Sequence, residues 1–339
     1  MGKRIFNVFF ASVSILLLIL DSQTALLGAQ SAVALCISSV IPSIFPFLVL
    51  SGMLTAAING MDLRIFRPLS RLTGIPVGTE GIFLTGILGG YPAGAQAVHQ
   101  AWIKGQLSKE EANRMLAFCN NAGPAFLFGI LGTKFTYGWI PWVLWGVHIL
   151  SAITVAVLLP KNRNINQTLP PISLVSLTQA LKTAVATMGC ICGWIVLMRV
   201  ILAFLERWVL WLFPVEVRVG IYGFIELANG CCSVASVSSQ GLRFILCSVM
   251  LAFGGICVVM QTASVTGKLG IMHYLRGKAL QTVISLILSS TIQMFIFQAS
   301  ERADISPFFL IPCLLFVLLY CIILRKKENN SSIPALIGV

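Results

Sequence analysis

Stretches of about twenty apolar residues recur along this chain, separated by short segments that hold most of its charge. That is the length an α-helix needs to cross the hydrocarbon core of a bilayer. Inside that core only structures that satisfy their own backbone hydrogen bonds persist. Full spans are read at 5–26, 32–57, 115–133, 138–159, 184–205, 219–237, 280–299 and 306–324. Two further apolar stretches, 81–102 and 244–266, are interrupted in their middles by Gly, Pro or Gln. Composition closes off the alternatives. Of 339 residues 57% are hydrophobic and 10% charged, against about 25% charged in an ordinary soluble domain, and mean hydropathy is +0.92. So few charges cannot cover a soluble protein of this size, which excludes a soluble enzyme, a disordered chain and a disulfide-stapled secreted domain. The fold class is an all-α polytopic membrane protein.

The net charge of +12, from 23 Lys and Arg against 11 Asp and Glu, falls in short clusters between the apolar runs. That is the pattern of the positive-inside rule, with attraction to an anionic cytoplasmic leaflet of the lipid bilayer rather than to nucleic acid. Lys3 and Arg4 start inside, and the 21–30 loop, with Asp21 and no Lys or Arg, lies outside. Arg64, Arg67, Arg71, Lys104, Lys109, Arg114, Lys161, Arg163 and Lys182 are then inside. With both its flanks inside, 81–102 must enter and return, as a re-entrant hairpin. The same logic, applied to Lys268, Arg276 and Lys278, makes 244–266 a second hairpin. The expected architecture is about eight transmembrane helices plus two broken hairpins in two structural repeats, with both termini cytoplasmic. An inverted repeat with two single-pass broken helices is the competing topology. The first apolar run resembles a signal peptide, but everything downstream is also membrane-like, so an uncleaved first helix is preferred.

The chain therefore divides into a first membrane repeat (1–160, hairpin 81–102), a polar linker and interfacial segment (161–183), a second repeat (184–324, hairpin 244–266) and a basic, disordered tail (325–339). Of the ten cysteines most lie in apolar runs, where Cys packs as a small hydrophobe. Cys190/Cys192 and Cys231/Cys232 lack C-x-x-C spacing, so packing is preferred over a soft-metal site. No G-x-S-x-G, H-E-x-x-H or Walker lysine loop occurs. No catalytic residue, metal or cofactor is expected.

Glycine, proline and polar residues in mid-membrane free backbone groups for which lipid offers no partner. In transporters such interruptions, paired in two halves, mark the solute site. The chain has Gly89-Gly90-Tyr91-Pro92-Ala93-Gly94-Ala95-Gln96 and Gly254-Gly255-Ile256-Cys257-Val258-Val259-Met260-Gln261. In each, a Gly-Gly pair precedes a Gln by six positions and a Lys follows, Lys104 or Lys268. After the first comes Asn120-Asn121-Ala122-Gly123-Pro124. Its amides can donate and accept, and the N–H groups ahead of the Pro124 helix start can face a ligand. An ordinary interfacial cap competes, and the neighbouring hairpin favours the site. The substrate-binding candidates are Gly89, Gly90, Tyr91, Gly94, Gln96, Asn120, Asn121, Gly123 and Gln261. Tyr91 either stacks on an aromatic solute or anchors at the interface.

Glu226 is the only acidic residue well inside an apolar run, where an ionisable group costs about 2.5–3.5 kcal/mol. It either couples transport or bonds solute, or it forms a structural pair with Arg199 or with Asn229, and the two readings stand level. His148 is read as a hydrogen-bonded helix residue, and the Trp139–Trp145 and Trp208–Trp211 stretches as interfacial belts.

The segments 89–96, Glu110-Glu111-Ala112 and Asn120-Asn121-Ala122-Gly123-Pro124-Ala125-Phe126-Leu127-Phe128-Gly129 resemble the YlbJ-type sporulation integral membrane proteins of the nucleoside-recognition (Gate) domain family. That group is similar to nucleoside transporters. The resemblance covers roughly 30–300 and takes in Gly223-Phe224-Ile225-Glu226-Leu227-Ala228-Asn229-Gly230. It implies a channel-like transporter carrying dipicolinic acid from mother cell to forespore across the outer forespore membrane. The implied partners are that solute, lipid, and either a second copy of the chain or other sporulation membrane proteins. Gln96 stands where many members of the family carry a lysine. Loss of that charge weighs against an anionic solute and toward a nucleoside or other small-solute permease of the plasma membrane. A non-transporting protein of spore-envelope assembly is the reading from another class.

Overall fold

The computed structural model describes residues 2–58, 64–161, 175–298 and 301–302, and every regular element among them is helical. Helix α1 (Gly2–Leu20) is followed after one residue by α2 (Ser22–Leu35), a π-helical turn at Cys36–Val40 and α3 (Ile41–Ile58). The outside loop expected at 21–30 does not form. Asp21 accepts from the Thr24 amide at 3.4 Å and caps α2, so 22–58 is one rod of 37 residues. After the short α4 (Arg67–Thr73) come α5 (Glu80–Leu88), α6 (Ala93–Ile103) and α7 (Lys109–Cys119). Helix α7 opens on a reciprocal capping box: Ser108 Oγ accepts from the Glu111 amide at 3.2 Å, and the Glu111 carboxylate accepts from the Ser108 amide at 2.8 Å.

The chain continues through α8 (Pro124–Phe126), a π-helical turn at Leu127–Leu131, α9 (Ile140–Leu158) and α10 (Leu177–Trp208). Then follow α11 (Val215–Ile225), α12 (Leu227–Ser233), α13 (Gln240–Phe253), α14 (Gly255–Thr266) and α15 (Ile271–Ile296). Among the described residues, five segments are long and apolar enough to cross a membrane: Ser22–Ile58, α9, α10, Gln240–Thr266 and α15. Four of them start earlier than the sequence suggests, and two of these shifts bear on the linker and the site. Helix α10 takes residues 177–183 out of the expected linker, and α15 begins nine positions before the expected span at 280. The expected span 306–324, the tail 325–339 and linker residues 162–174 lie outside the described residues.

Two helix pairs fold back on themselves. Gly86 of α5 and Gly94 of α6 both abut the carbonyl oxygen of Cys119, and a Cβ on either would collide with it. In one continuous helix the two glycines would stand about 12 Å apart, so the chain reverses between them. Gly223 of α11 and Gly230 of α12 are likewise in contact, with Glu226 at the turn.

Two other interruptions do not reverse the chain. Helix α9 runs antiparallel beside the whole of 114–128. Arg114 reaches the carbonyls of Ala156 and Pro160, the Ala122 amide reaches His148, and Phe128 packs on Trp142 at 4.4 Å. Helix α15 runs in the same way beside 240–266, with Phe244 against Phe297, Ser248 on Ser285 at 2.7 Å and, beyond the interruption, Thr262 next to Tyr274. The second hairpin is therefore not at 244–266, as expected, but at 215–233. The Gly-Gly pair marks positive φ, 85° and 81° at Gly254 and Gly255 against 77° at Gly90. Positive φ breaks helix hydrogen bonding without dictating a reversal. The reversal at Glu226 comes from an extended residue (φ −142°, ψ 117°) whose side chain caps the next helix.

Candidate functional site

The four interruptions meet. A methyl group on Gly90 would lie 3.0 Å from the Gly123 nitrogen, and one on Gly254 would lie 3.3 Å from Cζ of Tyr91. One on Gly255 would lie 2.9 Å from the Gly223 carbonyl, beside the Glu226 turn. Only residues without a side chain let four backbones approach this closely. Between them lies a cavity of about 50 Å³ lined by Gly89, Gly90, Tyr91, Gly123, Glu226 and Gln261, with aliphatic and Phe126 walls. At about 30 Å³ per molecule it holds one or two waters, not an organic solute.

Polar side chains replace the hydrogen bonds that the interruptions remove, as a lipid environment requires. Asn120 Oδ1 accepts from the Ala95 amide at 3.3 Å, and its Nδ2 donates to Thr262 at 2.9 Å. His148 Nε2 accepts from the Ala122 amide at 3.0 Å. The Tyr91 hydroxyl donates to the Leu251 carbonyl at 2.9 Å. Glu226 accepts from the Ala228 and Asn229 amides at 3.0 and 2.6 Å and from Asn229 Nδ2 at 2.7 Å. Of the two structural partners considered for Glu226, Asn229 is the one engaged. Arg199 instead pairs with Glu206 at 2.9 Å.

Of the residues singled out from sequence, Gly89, Gly90, Tyr91, Gly123, Gln261 and Glu226 thus line one cavity. The others do not line it. Gly94 packs on Cys119, Asn120 ties α6 and α14, and Gln96 donates to Thr187 of α10 at 3.3 Å. Asn121 donates to the Phe118 carbonyl at 2.7 Å. Among the described residues no three His, Cys, Asp or Glu side chains group as metal ligands.

The sequence reading missed Lys278, which it placed among the loop cations. The early start of α15 carries it inside, and it is 0% exposed. Its ammonium donates to Gln281 Oε1 at 2.8 Å and to Asn121 Oδ1 and the Tyr91 hydroxyl at 3.3 Å each. It lies 5.1 Å from the centre of the Tyr91 ring. Gln281 also donates to Asn121 Oδ1 at 3.2 Å and to the His148 carbonyl. A signal was present in the sequence: Lys278, Gln281, Ser285 and Ser289 recur at helical spacing, and all four are fully buried.

Helices of this length and apolarity, with polar side chains turned inward onto interrupted backbone, define an integral, multi-pass helical membrane protein. Over 119 residues the chain is 30% identical to the sporulation integral membrane protein YlbJ of Bacillus subtilis (strain 168). That match covers 33% of this chain and 28% of the relative's length, a shorter stretch than the 30–300 over which the motifs suggest a likeness. No protein-family model and no solved structure matches the chain.

Proposed function

We propose that the protein is a membrane transporter for a small organic solute, which it moves without covalent chemistry through the site where the four interruptions meet. The observation that carries this reading is that convergence: interrupted membrane segments on one water-sized cavity, with glycines where backbone can approach a solute. The order of elements supports two repeats, each a long span, a fold-back pair, a broken span and a further span: 22–58, α5/α6, α7/α8 and α9, then α10, α11/α12, α13/α14 and α15. Helix α14 reaches the cavity with Val258 and Gln261 of its first two turns.

The solute is dipicolinic acid, moved into the forespore across the outer forespore membrane, with both termini cytoplasmic. The likeness to a sporulation membrane protein supports this cell-level reading. The cavity must widen to admit such a molecule, and movement of one repeat against the other gives alternating access. Uptake of labelled dipicolinate and labelled uridine into proteoliposomes, with wild type and Gln261→Ala, tests the proposal. Saturable dipicolinate uptake that Gln261→Ala abolishes is the expected result. Uridine uptake alone keeps the site and replaces the solute. Uptake of neither by folded protein favours a role in spore-envelope assembly.

A further inference from the structure

The charge of Lys278 is fully buried among uncharged partners. A lysine at membrane depth is costly, and a methionine of similar shape would fill the same space. All three acceptors around its ammonium, on Tyr91, Asn121 and Gln281, belong to uncharged side chains. Among the described residues it forms no ion pair. Glu226, the carboxylate on the nearby cavity, is engaged by the amides of Ala228 and Asn229. One side chain separates this cation from the cavity: Tyr91, which lines the cavity and accepts from Lys278 through its hydroxyl.

We propose that Lys278 is the residue that recognises a carboxylate on the solute, held behind Tyr91 in this structure and exposed to the cavity when Tyr91 swings aside. The proposal rests on the transport reading and deepens it, by assigning the solute's charge to a named partner. A carboxylate in place of these uncharged acceptors gives the ammonium a partner of opposite charge, and a bond with both partners ionised is stronger than one in which the donor alone is. Neither a neutral solute nor a purely structural role gives the lysine that gain.

The full chain in detergent is tested by thermal midpoint against dipicolinate and against the neutral pyridine-2,6-dicarboxamide, and in proteoliposomes by uptake. Dipicolinate is expected to raise the wild-type midpoint and the dicarboxamide not to. In Lys278→Met dipicolinate affinity falls by about tenfold to a hundredfold, and Lys278→Arg restores part of it. Lys278→Met protein that is folded and binds dipicolinate like wild type overturns the proposal. If Lys278→Met does not fold, Tyr91→Phe decides. With one acceptor withdrawn from the ammonium, dipicolinate binds more tightly, and unchanged affinity overturns the proposal. Carboxylate binding that depends on Lys278 without any uptake upholds the site and sinks the transport reading. Uridine uptake by a protein that binds no carboxylate overturns the Lys278 assignment while leaving a transporter.

Discussion

The ammonium of Lys278 lies 3.3 Å from the hydroxyl of Tyr91, a residue 187 positions away, and 5.1 Å from the centre of its ring. The same hydroxyl donates to the carbonyl of Leu251, three residues before the interruption at Gly254. One phenol therefore joins the α5/α6 fold-back, the broken span 240–266 and helix α15.

Tyr91→Phe removes both bonds while keeping the ring. It leaves the Leu251 carbonyl without this donor in a setting where water cannot easily replace it. The thermal midpoint in detergent should fall, with a loss of about 1–2 kcal/mol. An unchanged midpoint would show that the hydroxyl contributes nothing to holding the three elements together.

Gly94→Ala and Gly86→Ala should each lower the yield of folded protein, because a Cβ at either position meets the Cys119 carbonyl. Overpacking of this kind costs about 1–3 kcal/mol. Gly189→Ala in α10 is the control. A Cβ there meets nothing within 4 Å, and alanine in a helix is expected to stabilise by about 0.5–1 kcal/mol. Equal behaviour of all three variants, measured by size-exclusion recovery and thermal midpoint, would contradict the fold-back.

Arg114 ties one end of the molecule. Its guanidinium donates to the carbonyls of Thr73, Gly74, Ala156 and Pro160. Lysine carries the charge but not the planar fork that reaches four acceptors. Arg114→Lys should therefore destabilise, by about 2 kcal/mol or more, and leave the apparent KM for solute unchanged. A lysine variant as stable as wild type would refute the need for the fork.

Glu226 has its carboxylate engaged by three donors and forms no ion pair with Arg199. Glu226→Gln keeps an acceptor for the helix amides and loses the charge. The expected cost is about 1 kcal/mol, rising to about 2 for Glu226→Ala. The pH profile of uptake by Glu226→Gln should keep the wild-type shape. A profile that turns flat would make the carboxylate a proton-coupling group instead of a cap.

The apolar runs and the Gly-Gly interruptions were legible from local pattern. Each depends on residues within a turn or two of one another. Gly90, Tyr91, Gly123 and Gln261 were legible as site candidates for a related reason. Irregular residues in a membrane must be buried in protein, and such residues from different segments have few places to meet.

What local pattern could not decide is which interruption reverses the chain. Gly-Gly records positive φ alone, and the axis beyond it is set by what packs alongside: α15 keeps 240–266 straight, while the Glu226 cap lets α11 and α12 fold back. Nor could loop charge place Lys278. The positive-inside rule ranks cations by nearness to span ends, and Lys278 stands near one. Its burial is decided by acceptors on Tyr91 and Asn121, 187 and 157 positions away. Apolar runs of this length oblige the chain to hide its backbone in helices and turn its few polar groups inward. Which of those groups face one another is settled by packing, because a buried charge is held by partners from distant segments that no local pattern specifies.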